Sequence, residues 1–522
     1  MIVTTADEMR RMDALAIERF GIAAEALMER AGAGAAEALV GSFPHVRKHG
    51  VVVIAGKGNN GGDGFVLARL LKRRRVRCEV FLAVPRDQIQ GPARTKLLAW
   101  QRAGGRITVV DGGDLGALRR SLARAGCIVD GLFGTGLKGE VTGLAAELIA
   151  LMNASGVPVM ALDIPSGLDA DRGTALGIAV EAELTVAFAA PKIGCVLFPG
   201  ARHCGELVVV DIGIPDEAVA LVAPRAHAIT AADARRMVRP RDPESHKGDH
   251  GHLALIAGGR GKTGAAVLAG RAAARAGAGL VSVGCPDTVQ PVIAGALLEE
   301  MTVPLPDDGR GGLGFPDPGP YRDLLAGKRA VAAGPGIGVS AGCRALIRWL
   351  IAESGLPLVL DADALNCAAE LGSELRRPAA GAPMILTPHP GEMARLVRAT
   401  TSEVQGDRVG AARRLAERTG AIVVLKGART VTADPDGRVA INLSGNAGLA
   451  SGGSGDVLLG IIGSLLAQGY PASEAAQLGV FLHGWAADRV ALARGQVGLL
   501  ASDLIEDLPA ATASLALESS DS

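Results

Sequence analysis

The sequence predicts an α/β protein of two layered domains, each a mainly parallel sheet covered by helices on both faces. Three observations predict it. The chain has 522 residues, more than one hydrophobic core ordinarily serves. Short β-branched runs alternate with helix-length segments along most of its length. That alternation is interrupted once, by a stretch rich in Pro, Asp and Arg at residues 211–251.

In the first half, Val51–Gly56, Cys78–Val84, Ile107–Asp111, Cys127–Leu132, Val157–Pro165, Leu184–Ala190 and Leu207–Gly213 read as buried strands. Phe65–Arg74 and Pro92–Arg102 read as helices between them. The interrupting stretch shows no clear strand, and the boundary is placed near Pro224–His227, giving domains 1–223 and 227–512. Alternation resumes with His252–Gly258, a small-residue helix Thr263–Gly277, then Gly279–Gly284, Arg329–Gly338, Leu356–Asn366, Pro383–Glu392, Ala421–Thr430 and the glycine-rich Asn446–Gly463. The halves share no repeat of fixed period, so two different α/β domains are expected. The tail Leu515–Ser522 is expected to fray.

Composition excludes several function classes. Basic and acidic residues balance at 54 each with no long run of one sign, which argues against nucleic acid or an anionic membrane as partner. The seven cysteines are scattered and never form a CxxC pair, so they read as reduced core thiols. The N-terminus lacks an apolar signal core and no stretch is apolar for long enough to span a bilayer, so a cytoplasmic protein is expected.

The chemistry-bearing motifs follow strand ends. GKGNNGGDG (57–64 and the preceding Gly56) leaves the first strand and enters a helix, where an α/β sheet binds phosphates or nucleotides. It is neither GxGxxG nor a P-loop; the plainer reading is a turn with Asp63 capping the helix. VDGLFGTGLKGE puts Asp130 at a strand end before a glycine loop carrying Lys138, and LDIPSGLDAD puts Asp163 and Ser166 at another. Acids at the ends of parallel strands are costly in a core and common in a site. Asp169 and Asp171 read better as a solvated loop.

In the second half GGRGKTGAA gives a turn opening a helix, but it lacks a phosphate-loop frame. Gly336 allows close backbone approach to a ligand, and Asp361 with Asp363 forms a carboxylate pair suited to a magnesium–phosphate complex. His389 lies between two prolines. Lys426 stands at a strand end with Arg429 nearby, basic groups for a nucleotide's phosphates, against the alternative of a hairpin with an exposed charge. In NAGLASGGSGDVL a lone acid, Asp456, meets a glycine-rich helix start. It is either an N-cap or a base beside a bound phosphate.

NNGGDG, VDGLFGTGLKG and LDIPSG, in this order, resemble the NAD(P)H-hydrate epimerase domain over roughly residues 1–220. The resemblance implies a Rossmann-like three-layer α/β/α fold. It implies substrate contacts at Asn59, Asn60, Gly61, Gly62, Asp63, Gly134, Thr135, Gly136, Leu137, Lys138, Gly139, Glu140 and Asp163. It also implies potassium ligands at Asn60, Asp130 and Ser166. Asp163 is the candidate acid/base, Lys138 the second, and an electrostatic role is open for either.

HKGDHG, GGRGKTGAA, GPGIG, DADALN, TPHPGE, LKG and NAGLASGGSGDVL resemble the ADP/ATP-dependent NAD(P)H-hydrate dehydratases of the ribokinase-like superfamily, from about His227 to Leu508. This implies a second three-layer α/β/α fold, hydrate contacts at Ala265, Gly336, His389 and Asp456, and nucleotide contacts at Lys426, Gly427, Ala428, Arg429, Thr430 and Gly455. Lys262 departs from the small or apolar residue expected in its turn. The whole resembles a fused repair enzyme for hydrated NADH and NADPH, with Asp456 as base, ADP as co-substrate, magnesium in the second domain and a homo-oligomeric state. Two other readings stand beside it: a ribokinase-like kinase of a small-molecule alcohol, and a first domain that binds without catalysing.

Overall fold

The computed structural model describes residues 1–110, 112, 115–377 and 381–517. The chain divides into two compact units, one of residues 2–227 and one of residues 228–522 with Met1. Among the described residues no helix is long and apolar enough to cross a membrane.

In the first unit the strands lie in the order Ile107–Val109, Cys78–Leu82, Val51–Ala55, Cys127–Gly131, Val159–Leu162, Leu184–Phe188 and Glu206–Val210, all parallel. Val51–Ala55 is buried throughout, as a parallel strand covered on both faces must be. Val53 joins a core with Leu39, Phe65 and Leu67, while its neighbour Ile54 joins another with Leu148 and Ile149. That alternation makes this a three-layer α/β/α unit. Asp111 and the tail beyond Leu517 lie outside the described residues.

The second unit carries a parallel run in the order Met301–Leu305, Leu280–Pro286, His252–Ile256, Ala330–Ala333, Leu358–Leu360, Met384–Leu386 and Ile422–Leu425. Val431–Ala433 and Val439–Asn442 extend it antiparallel. Helices such as Thr263–Arg275 and Ser454–Ala467 bury Ala266, Ala269, Val457 and Ile461 in one core with Leu253 and Leu255.

Three sequence expectations are corrected. The stretch expected to lack a strand holds one, Ala226–Ile229, followed by the helix Ala231–Met237 with a Thr230–Asp233 capping box. The helix expected to begin at Phe65 begins at Asn59. Met301–Leu305 and Val439–Asn442 are further strands that went unread; each is at most five residues long.

Candidate active sites

In the first unit the topology changes direction at Val51–Ala55, which pairs with Cys78–Leu82 on one side and Cys127–Gly131 on the other. A crevice at such a switch point is where α/β sheets bind ligands. The helix Asn59–Arg73 starts there with Gly58 as N-cap, so Asp63 lies inside the helix and does not cap it. The glycines serve close packing. A Cβ on Gly61 would collide with the carbonyl oxygen of Gly56, and one on Gly62 would sit 2.6 Å from Met28 Sδ. Gly61→Ala is therefore expected to destabilise the unit by roughly 1–3 kcal/mol, read as a lowered melting transition; an unchanged Tm would refute this packing role.

The crevice opens into a cavity of about 570 Å³ lined by Asn59, Asn60, Asp63, Gly134, Thr135, Gly136, Leu137, Lys138 and Asp163. Gly61, Gly62, Gly139 and Glu140 are not on its wall. Asp163 has φ +63, a left-handed conformation costly for a non-glycine residue and typical of sites where the surroundings impose it. Its carboxylate accepts from Phe188 N–H at 3.2 Å and is ion-paired with the fully buried Lys192.

Asp130, Ser166 and Asn60 form an oxygen-rich cluster that meets the cavity wall at Asn60. Asp130 is fully buried and accepts from Ser166 N and Oγ at 2.7 and 2.6 Å, which only partly offsets burial; its carboxyl is pushed up to about 6. Phe133 N donates to Ser166 Oγ at 2.8 Å, and Asn60 Nδ2 donates to Phe133 O at 2.7 Å. Asn60 Oδ1 is buried and, among the described residues, has no hydrogen-bond partner. An orphaned amide oxygen beside a buried carboxylate and a hydroxyl suits a cation that takes oxygen ligands. Asp169 instead accepts from the N–H groups of Asp171 and Arg172 at 2.9 Å, a local turn.

In the second unit the helix Ser454–Ala467 has Gly453 as N-cap, at φ +88, and Asp456 in its first turn. The N-cap reading of Asp456 is thereby corrected. Among the described residues no side chain caps this helix start, which leaves its first-turn N–H groups to an anion, with Asp456 in the same turn. Burial, then the charges of Asp361 and Asp363, raises its carboxyl to about 7 against the pull of Lys426.

Lys426 Nζ donates to Asp361 Oδ1 at 2.6 Å and lies 3.9 Å from Glu392 Oε2. Asp361 is 2% exposed. Burial alone would lower Lys426; the carboxylates of Asp361 and Glu392 outweigh it and hold the ammonium charged. The hairpin anticipated as the alternative is present, since Ile422–Leu425 and Val431–Ala433 pair antiparallel, but Lys426 is enclosed at its base and not an exposed charge. Gly455 lies against this pair: a Cβ there would be 3.4 Å from Lys426 Nζ and 3.6 Å from Asp361 Oδ2.

The remaining predicted residues are engaged locally. His389 Nδ1 accepts from Gly391 N at 2.9 Å and Glu392 N at 3.3 Å, capping the helix Pro390–Val397, with its side chain 52% exposed. Lys262 Nζ pairs with Asp363 Oδ2 at 3.0 Å, which also accepts from Gly338 N at 2.9 Å. The unexpected lysine thus closes the turn against Gly336, whose Cβ position would be 2.9 Å from Lys262 Cβ. Ala265 lies in the first turn of the helix Thr263–Arg275. Arg429 donates to Leu443 O at 2.7 Å, Thr430 Oγ1 to Gly427 O at 3.0 Å, and the buried Arg408 to Ala428 O at 2.6 Å, fixing the loop after Lys426.

Sequence reading missed four side chains. Lys192 and Asp13 line the first cavity; Lys192 is a single charge in an otherwise apolar run, a signal that went unused. Arg408 carries no motif. His483, 8% exposed, sits 2.9 Å from Ser454 O and so holds the first residue of Asp456's helix.

Two separate sites, each at a sheet's strand ends and each with acids held by lysines, define a bifunctional α/β enzyme. A family model described as NAD(P)H-hydrate dehydratase matches residues 253–510, and one described as YjeF-related protein N-terminus matches residues 24–194. The chain is 42% identical over 511 residues to a bifunctional NAD(P)H-hydrate repair enzyme of Moorella thermoacetica, covering 98% of this chain and 96% of that one. It is 37% identical over 512 residues to the enzyme of that name from Escherichia coli, covering 96% and 92%. An ADP/ATP-dependent NAD(P)H-hydrate dehydratase from Bacillus subtilis, co-crystallised with ATP/Mg2+, superposes with a TM-score of 0.48 at 32% identity over 55% of this chain and 97% of its own. The chain belongs to the bifunctional NAD(P)H-hydrate repair enzymes, with an epimerase domain followed by a dehydratase domain. A kinase fused to a non-catalytic module is not favoured, because the relatives matched along nearly their whole length are named bifunctional NAD(P)H-hydrate repair enzymes and the second family model is described as a dehydratase.

Proposed function

We propose that Asp456 is the base of the dehydration and that ADP is the phosphate donor, giving AMP and phosphate. The observation that carries this reading is Asp456 beside a glycine-rich helix start, next to the Lys426–Asp361 pair. Asp456 takes the proton of the C6 hydroxyl of the S hydrate as that oxygen bonds to the terminal phosphorus of ADP and AMP departs. The N–H groups around Gly455 receive the charge that develops on the transferred group. Phosphate then leaves C6, driven by the ring nitrogen's lone pair, and loss of the C5 proton restores the dihydropyridine. Ala265, Gly336 and His389 are the proposed contacts to the hydrate, and Lys426–Thr430 with Gly455 those to the nucleotide.

Asp361 and Asp363 supply oxygen donors of the kind magnesium requires, each also engaged by a lysine. Bound magnesium would screen the phosphates' charge. Incubating mixed hydrate epimers with the protein, magnesium and ADP tests the reading through recovery of dihydronicotinamide absorbance. No recovery above the rate without protein would refute it. Sedimentation and fractionation test the accompanying expectations of a homo-oligomer in the cytoplasm.

In the first unit we assign the R–S interconversion at C6 to the cavity beside Asp163, with potassium held by Asn60, Asp130 and Ser166 and fixing the loop at Phe133. Epimerisation is expected to slow when choline replaces potassium, and Ser166→Ala to remove that difference. Equal wild-type rates in the two salts would sink the potassium assignment.

A further inference from the structure

Three carboxyl groups, not one, face the epimerase cavity: Asp13, Asp63 and Asp163. They come from the helix Ala6–Glu18, the helix Asn59–Arg73 and the end of the strand Val159–Leu162. Their surroundings differ in a way that sorts their roles. Asp163 accepts from the Lys192 ammonium and the Phe188 N–H, bonds made to a charged carboxylate. Asp63 is 7% exposed and Asp13 half-buried, and among the described residues neither side chain makes a hydrogen bond or ion pair.

We propose that Asp13 and Asp63 carry the protons of the C6 epimerisation, while Asp163, held by Lys192, remains the fixed negative charge facing the ring. This rests on the epimerase reading of the cavity. The C6–O bond breaks as the ring nitrogen's lone pair forms the N1–C6 double bond, and one carboxylic acid gives its proton to the departing hydroxyl, which leaves as water. Water then adds to C6 from the opposite face, and its surplus proton goes to a carboxylate. A reaction using both faces needs an acid and a base approaching from separate elements, which these two helices supply. The intermediate is a cation, and the ionised Asp163 stabilises it by charge.

The environment fits this division. Burial raises the Asp63 carboxyl well above its ordinary range, with the charges of Asp163 and Asp13 adding and Lys192 and Lys96 opposing. Burial and the Asp163 charge raise Asp13 to about 6, against Lys192. Arg10 on Asp13's own helix, and Lys57 and Lys138 from other segments, complete the charged lining. Carboxyl groups held in their proton-bearing form by burial are the pattern of a working acid.

The full chain reports epimerisation directly. With mixed NADHX epimers, excess ADP and magnesium, the S form is consumed in a fast phase and the R form in a slow phase limited by its conversion. Asp13→Asn and Asp63→Asn are each expected to slow the slow phase by about 10²–10⁴-fold, down to the uncatalysed floor, with the fast phase as internal reference. Asp13→Ala is expected to recover rate on addition of acetate. A slow phase at the wild-type rate in Asp13→Asn overturns the proposal. Should a variant lose its melting transition, the wild-type slow phase decides: its rate is expected to change through about pH 6, and a flat profile there overturns the assignment. A wild-type slow phase no faster than the reaction without protein would instead refute the epimerase reading itself.

Discussion

Asp456→Asn is expected to abolish dehydration and, at the same time, to raise the melting temperature of the second unit. The first effect follows from its proposed role as base: losing a positioned base costs about 10²–10⁴-fold in rate. The second follows from the raised acidity constant. The ordinary carboxyl value of 3.8 rises to about 7 in the folded chain, mainly through burial. The folded state therefore holds the proton more tightly than the unfolded chain. Ionising Asp456 costs stability progressively as pH climbs from about 4 to 7, and the full cost is present above 7. Asn removes that cost, so the gain in Tm is expected above pH 7 and to vanish below about pH 4. Wild-type dehydration, requiring the unprotonated base, is expected to rise with pH through about 7. A fully active Asp456→Asn would end the assignment; an active site that gives up stability for function would show the opposite trends together.

Lys426→Met is expected to be the most destabilising single change at the second site. It leaves Asp361, 2% exposed, as a buried charge with its ammonium partner gone. Breaking such a pair on one side costs roughly 3–5 kcal/mol, whereas neutralising both sides costs far less. Urea unfolding should therefore show a large loss for Lys426→Met and a partial return for Lys426→Met with Asp361→Asn. Activity should return in neither, because the proposed nucleotide site loses its cation. A single variant as stable as wild type would show that water or a neighbouring group compensates Asp361.

Much of this architecture was legible because parallel strands buried on both faces are continuous apolar runs, as in Val51–Ala55 and Ile422–Leu425. The start of the helix at Asn59 was not, since NNGGDG has poor helical propensity; its glycines are there for the backbone of Gly56 and the side chain of Met28. Asp456, Asp163 and Lys426 stood out as charged groups at strand ends or a helix start. Asp13 and Lys192 did not, because their meaning comes from residues far away: Lys192 pairs with Asp163 across 29 positions, and Asp13 shares only the cavity. The same holds for Lys262, whose partner Asp363 lies 101 residues on. Non-local pairing of single charges leaves no period or motif to read.

The cap made by His389 has a chemical corollary. Its Nδ1 lone pair is spent on the N–H groups of Gly391 and Glu392, while burial and the nearby Lys426 and Arg395 charges disfavour protonation of the ring. The neutral imidazole is thereby confined to the tautomer with hydrogen on Nε2. Nε2, which carries that hydrogen, has Glu392 Oε1 3.4 Å away, so a ligand meeting that edge must bring an acceptor lone pair, such as a carboxamide, phosphate or ring-nitrogen atom; an amino group in that place would find only another donor.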